Sequence, residues 1–411
     1  MKMIEKFDVA VIGGGPAGLM AAGRASELGA KVVLLEKNSS LGIKLLMTGG
    51  GRCNFTNNLD LRNFINNLGP NGLWFISALN SFGPGDIIDF FNSKGVKTKI
   101  EDNNRAFPKS DQARDVLDTL VAYAQAGGVK ILTNSRVEKV VKNNNIISKI
   151  ILDNGKEILA DKFILACGGK SYPNSGSSGE VYNWLKDLGH EIKEVRPALC
   201  QLLINEDLSD LEGLSFSNVL LFTKNINFKS SKLKGDIIFT KKGVSGPIAL
   251  NLSRELTRQD NNLDLFLDFF PDKNEEELKT EIKNIIENNK NFSIKNVLGL
   301  LIAKRLSAFL LNKIGISADR KSASLNKKEI KDIVGVLKLS KLTFVEVGGF
   351  NEAMISSGGV SLKEVNPKNM SSKIISNLYL VGETLDLDGP TGGYNLQIAW
   401  TSAYLAGSSC V

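Results

Sequence analysis

The segment from Phe7 to Glu36 limits the fold of this chain more than any other. An apolar run, Phe7-Asp8-Val9-Ala10-Val11-Ile12, ends at Gly13-Gly14-Gly15-Pro16; Ala17 to Ala22 follow at helical spacing, and a second apolar run, Lys31 to Glu36, comes next. Strand, glycine turn, helix and strand in this order form the β-α-β unit of a dinucleotide-binding α/β fold, whose parallel sheet is buried on both faces. In Gly13-x-Gly15-x-x-Gly18 the first glycine permits the tight turn, the second lets a pyrophosphate approach the backbone, and the third packs helix on strand. Glu36 lies 18 residues beyond Gly18, close to the roughly 20 expected of a carboxylate that hydrogen-bonds a ribose hydroxyl. An acid there disfavours a 2′-phosphate. The alternative is a structural glycine turn with a solvent-facing Glu36.

Composition narrows the chemistry. One histidine, His190, and four cysteines at 53, 167, 200 and 410 without a Cys-x-x-Cys spacing give no basis for a zinc site or a Ser/His/Asp triad, and no metal is expected. Catalysis then rests on a cofactor or on Tyr, Asp, Glu, Lys or Arg. Glycine supplies 39 residues and proline only 10, which favours close backbone approach over rigid linkers. The net charge of +7 is spread through Lys/Asn-rich segments rather than gathered in one block, so nucleic acid is not expected as a partner. Gly13 to Pro16 interrupt the N-terminal apolar stretch where a signal helix would be continuous, and no run is long enough for a membrane span. With the unpaired cysteines this points to a cytoplasmic protein that acts on a small molecule and binds no membrane.

At 411 residues the chain is long enough for two or three domains. Helical patterns are predicted over about 72–94 and 112–126, and short strands over 129–133, 135–142, 145–152 and 156–160, with a hairpin turn at Asn154-Gly155. A buried strand, Phe163 to Cys167, runs into Gly168-Gly169. From about 193 the character changes to short apolar segments, such as 219–222 and 265–269, and then to helical patterns over 275–288 and 294–311. We read 193–346 as a domain, β-rich first and helical second, inserted into a discontinuous domain of 1–192 and 347–411. The chain returns with a strand at Leu378 to Val381 and a helix from Tyr394 to Ala406.

A single phosphate turn serves NAD or FAD, and the C-terminal segment decides between them. Gly382-Glu383 places an acid directly after a strand, and Asp386-x-x-Gly389-Pro390-Thr391-Gly392-Gly393-Tyr394-Asn395 forms a glycine-rich turn at the start of a helix. A ribityl chain needs an acidic acceptor, and a flavin's pyrimidine edge is stabilised by a helix N-terminus. NAD requires neither.

These residues resemble the glutathione-reductase-like FAD-binding Rossmann fold, here an α/β domain with an inserted mixed β/α domain. Further blocks bring the chain close to the bacterial NAD(P)/FAD-dependent oxidoreductases of BaiN type, also described as aminoacetone oxidase family FAD-binding enzymes. The blocks are Gly42-x-Lys44-x-Leu46-x-x-Gly49-Gly50-Gly51-Arg52-Cys53-Asn54-x-Thr56-Asn57, Arg105-x-Phe107-Pro108, Ala166-Cys167-Gly168-Gly169-x-Ser171-Tyr172-Pro173, Phe239-Thr240-x-x-Gly243-Val244-Ser245-Gly246-Pro247 and Gly382 to Ala399. The resemblance implies that Gly13, Gly15, Pro16, Ala17, Gly18 and Arg52 border the pyrophosphate, and that Glu36 and Lys37 hold the adenosine ribose. It places Lys44, Gly49, Gly50, Gly51, Cys53 and Asn54 beside the ribityl chain and flavin, and the Val137 backbone at the adenine. Ala166, Gly168 and Gly169 would turn close to the cofactor, Gly382 and Glu383 would face the ribityl or pyrophosphate region, and Gly393, Tyr394, Asn395 and Leu396 would meet the isoalloxazine edge.

Catalytic residues are less constrained. Tyr172 is a candidate proton donor or a wall of the pocket, and Arg105 an anion-binding residue or a structural ion pair. Asp386 and Asp388 are general acids or turn residues. Cys53 has no second cysteine nearby, which favours packing over a thiol redox role, and Cys167 is expected in the core. His190 is expected at the surface. Gly243 to Pro247 open a helix that contacts substrate or is merely capped there. The expected function is an FAD-dependent oxidoreductase exchanging hydride equivalents between a small organic substrate and flavin, with NAD(P)H as a transient donor. The alternatives are a tRNA-modifying flavoprotein and a non-catalytic FAD-binding protein.

Overall fold

Lys6–Ile12 is buried from Val9 onward, as a strand covered on both faces must be. It pairs in parallel with Val32–Leu35 on one side and with Glu157–Leu165 on the other, so that Val11 faces both Leu34 and Ile164. Lys130–Leu132 extends the sheet in parallel beyond Val32–Leu35, and Leu378–Leu380 pairs in parallel with the end of Glu157–Leu165. The start of that long strand pairs instead with Ile146–Leu152, which forms an antiparallel hairpin with Val137–Asn143. Residues 156–160 and 163–167, which the sequence suggests as two strands, thus fall largely on one continuous strand. The computed structural model describes residues 5–224, 232–258 and 263–411, and absences below refer to these residues.

Two helices pack closely because both are built from small residues. Pro16–Glu27 reads PAGLMAAGRASE, and Tyr394–Ser409 is buried on almost every side. A Cβ at Gly407 would lie 2.6 Å from the Ala21 carbonyl oxygen, so glycine sets their approach. The predicted helix over 72–94 is broken into Ile76–Ser81 and Pro84–Ser93. Proline forces the preceding Gly83 out of helical geometry and lacks the N–H that would continue the helix. Thr56–Asn57, Arg105–Pro108 and Thr98–Glu101 form a small antiparallel sheet.

The described chain divides into two compact units. One runs to Ala198 and resumes at Phe350; the other is Leu199–Gly349. Strand Ile192–Ala198 stays with the first unit because it pairs antiparallel with Ile355–Val360. The second unit has its own core around a closed six-stranded barrel, with Leu221, Phe239, Leu265 and Phe344 among its buried residues. Its helices include Glu275–Asn288, which begins with a reciprocal Asn274/Glu277 capping box. The predicted helix over 294–311 splits into Ile294–Leu298 and Lys304–Lys313, since Gly299 ends the first and Ala303 is extended ahead of the second. No described helix is long and apolar enough to cross a membrane.

Candidate functional site

The glycine turn defines one end of a cleft in the first unit, outside the carboxyl ends of its parallel strands. Gly13 has φ +108°, and a Cβ there would stand 2.4 Å from the Ala166 carbonyl oxygen; one on Gly18 would stand 1.8 Å from the Gly13 oxygen. Gly18 therefore packs helix on strand and does not line the cleft. Gly15 lines it, and a Cβ there would meet nothing within 4 Å, so any side chain would fill the space a phosphate needs. Pro16 and Ala17 complete the lining at the start of a 12-residue helix without a side-chain N-cap, the positive end of its dipole.

Glu36 is buried and oriented by the backbone. One carboxylate oxygen accepts the Gly14 N–H at 2.7 Å and the other the Asn38 N–H at 2.8 Å. Each oxygen retains a lone pair for a ribose hydroxyl. Beyond it, Lys37 donates to Ser178 Oγ at 2.8 Å and pairs with Glu180 at 3.5 Å, while Asn38 Nδ2 donates to the Ser175 carbonyl. Val137 and Trp184 line this end.

Four segments meet in the middle. Lys44 Nζ donates to Glu383 Oε2 and to Ser171 Oγ, each at 2.7 Å; Ser171 Oγ and the Ser356 N–H both donate to Glu383 Oε1, at 2.8 and 2.7 Å. Gly169 is needed here because its Cβ would lie 2.6 Å from Glu383 Oε1, and it stays outside the lining. Ala166, Gly168 and Gly382 line the cleft with Lys44, Ser356 and Glu383 of this cluster, Ser171 being buried behind them, and Asn395 and Leu396 close it at the start of the C-terminal helix. Asn395 fastens the glycine-rich turn by bonding both the N–H and the carbonyl of Gly389. Gly393, φ +98°, is wedged against Thr56, and Tyr394 is buried against Phe64, its hydroxyl pushed up to about 12 by burial; neither lines the cleft.

Other predicted residues lie elsewhere. Gly49, Gly50 and Gly51 all have positive φ but are absent from the lining, as is Asn54, whose side chain donates to the Thr56 and Ala106 carbonyls. Arg52, expected at the pyrophosphate, does not line the cleft: its guanidinium pairs with Glu101 and Asp111 and lies 4.2 Å from the Phe107 ring centroid. Cys53 is fully buried, and burial pushes its thiol up to about 12, which removes the thiolate a redox role needs. Cys167, expected in the core, instead lines the cleft, its thiol also raised to about 12 by burial. Tyr172 holds a left-handed backbone, φ +51°, and Arg105 Nε donates to the Asp102 carbonyl; neither they nor Asp386 line the cleft.

His190 is buried rather than at the surface. Nδ1 faces Glu364 Oε2 and Nε2 faces Ser372 Oγ, each at 3.0 Å. The Ile374 and Ile375 N–H groups donate to that hydroxyl, so its proton is directed at Nε2, and burial lowers the pKa of the imidazole. Ser356 and Trp184 also line the cleft, though neither belongs to a motif that would single it out in the sequence. No group of described His, Cys, Asp or Glu side chains is placed to hold a metal.

An open glycine cradle, an oriented acid and a charge-balanced Lys44–Glu383 pair in the middle fit a flavin adenine dinucleotide laid along the cleft. Comparisons with known proteins agree. The family described as HI0933-like protein Rossmann domain matches residues 7–409. The chain is 31% identical to a 3-dehydro-bile acid delta(4,6)-reductase of Clostridium scindens over 97% of this chain and 98% of that one. It is 29% identical to a ribosomal RNA dihydrouridine synthase of Escherichia coli, over 98% and 97% respectively. A 3-ketosteroid-delta4-(5alpha)-dehydrogenase from Rhodococcus jostii shares the fold at 15% identity, with TM-score 0.53 and coverage of 99% of this chain and 98% of that chain.

Proposed function

Because the chain belongs to the HI0933-like Rossmann-domain family and is an FAD-dependent oxidoreductase, we propose that it reduces a carbon–carbon double bond conjugated to a carbonyl in a small organic substrate, with NADH or NADPH as electron donor. The observation that carries this reading is the cleft lined by the glycine turn, Glu36, the Lys44–Glu383 pair and the start of helix Tyr394–Ser409. The names of the Clostridium scindens and Escherichia coli relatives both describe saturation of a carbon–carbon bond, in a bile acid and in uridine.

Bound FAD would supply a two-electron carrier. The chain's own residues hold and polarise it. Gly13 to Ala17 receive the diphosphate at a helix N-terminus, and Glu36 with Lys37 takes the adenosine ribose. Lys44 offsets the charge of Glu383, which would otherwise repel the diphosphate. The positive end of helix Tyr394–Ser409, with Asn395 and Leu396, favours negative charge on the flavin's pyrimidine edge.

The test is anaerobic spectroscopy of the full-length protein. Bleaching of the flavin band by one nicotinamide, and its recovery on adding a 3-oxo-4-ene steroid or another enone, is the expected result. A band that neither nicotinamide bleaches, or that no enone restores, contradicts the reading. A second reading, reduction of uracil within RNA, is favoured by the Escherichia coli relative. It predicts recovery with an unmodified ribosomal RNA fragment, steeply weakened by salt.

A further inference from the structure

The adenosine end of the cleft carries a feature that the glycine turn and Glu36 do not explain. Trp184 is the one aromatic residue among the described residues that line the cleft. It sits on helix Glu180–Leu188, one turn after Glu180 and Val181, which also line the cleft, so the three share a face. The helix is fixed at that end from two directions. Glu180 pairs with Arg136 at 2.8 Å and with Lys37 at 3.5 Å, and Arg136 and Lys37 adjoin Val137 and Glu36 in the chain. The indole is half-buried, whereas Trp400 is fully buried in the core and Trp74 lies outside the lining.

We propose that Trp184 forms the stacking surface for the adenine base and thereby sets the preference for a dinucleotide over a flavin mononucleotide. This rests on the reading of the cleft as an FAD site. Glu36 fixes where the ribose lies, the glycine turn fixes the phosphate side, and the base must then lie on the other side, toward Val137 and Trp184. A purine there gains dispersion and π-stacking from a flat indole without any hydrogen bond. The neighbouring charges of Lys37, Arg136 and Glu180 are already engaged with one another. Trp184 is a binding residue with no part in the redox step.

The experiment compares FAD and FMN binding to the flavin-depleted full-length chain, as wild type, Trp184→Ala and Trp184→Phe. Stacking predicts that W184A weakens FAD roughly tenfold, the scale of one base–aromatic contact, leaves FMN within about twofold, and that W184F recovers most of the loss. Equal losses for FAD and FMN accompanying a fall in Tm would make Trp184 a packing residue and overturn the proposal, as would an unchanged FAD preference. Should W184A fail to fold, ADP decides the matter on wild type and W184F. Quenching of tryptophan emission by ADP in wild type but not in W184F supports stacking, and no quenching in wild type overturns it. If neither flavin binds the wild-type chain, the cofactor reading itself fails; if FAD binds and only the predicted selectivity is missing, that reading stands.

Discussion

Two glycine-rich segments stand out in the sequence, and they work by different physics. From Gly13 to Gly18 glycine is demanded chiefly by space: backbone atoms crowd the Cβ positions of Gly13 and Gly18, the Leu41 and Glu36 side chains that of Gly14, and the cleft lies beside Gly15, although Gly13 also has a positive φ. From Gly49 to Gly51 it is demanded by conformation, since all three residues have positive φ while a Cβ on Gly50 would meet nothing within 4 Å. Gly13 and Gly15 of the first segment line the cleft, and none of Gly49 to Gly51 does. A run of glycines therefore marks a backbone constraint, and only its surroundings tell whether a ligand causes it.

The sharpest way to break this contrast is Gly18→Ala. With a Cβ 1.8 Å from the Gly13 oxygen, the turn must open; the loss should reach about 3 kcal/mol in urea unfolding, and the purified protein should carry no flavin. Next in size is Lys44→Met, which leaves Glu383 without its cation in a largely buried cluster. Titration should show FAD bound roughly tenfold more weakly, because the uncompensated Glu383 charge repels the diphosphate, and Tm should fall because a largely buried carboxylate is left without its cation. Gly50→Ala, by contrast, meets no clash, and should cost only about 1 kcal/mol for its left-handed backbone while flavin content stays at the wild-type level.

Two smaller effects probe residues away from the cleft. His190 is held neutral by burial and by the Ser372 hydroxyl. Its folded-state pKa lies below the unfolded value of about 6.5, so the unfolded chain takes up the proton first. Stability is complete above about pH 6.5 and is lost as pH falls from there through the folded-state pKa; unfolding curves of His190→Asn should lack that acid slope. Arg52→Ala should have the least effect, leaving the FAD dissociation constant unchanged, because the guanidinium spends its hydrogen bonds on Glu101 and Asp111. A large loss of FAD would return Arg52 to the pyrophosphate.

What could be read without coordinates was local. The strand, turn and helix from Phe7 to Glu27 and the partner strand ending at Glu36 follow from periodicity and glycine spacing, because the motif is contiguous. Lys44 and Glu383 could each be singled out, yet their pairing through Ser171 and Ser356 joins residues hundreds of positions apart and has no sequence signal. The misplacements have the same origin. Arg52 sits in a conspicuous glycine block, but its partners Glu101 and Asp111 come from a hairpin and loop that no pattern links to it. His190, expected at the surface, owes its burial to Glu364 and Ser372 from the other end of the chain, which no local pattern shows. The helix over 72–94 fails at Gly83-Pro84, a local break within an apolar period that continues on both sides of it.

The claim on which everything else depends is that the cleft holds FAD as an intact dinucleotide. Full-length protein should be purified, its visible spectrum recorded, and the flavin released by heat and identified by chromatography. The account predicts flavin absorbance and release of FAD at one equivalent per chain, directly or after incubation with FAD and removal of the excess. Release of FMN alone, or a colourless protein that retains no FAD, would contradict it.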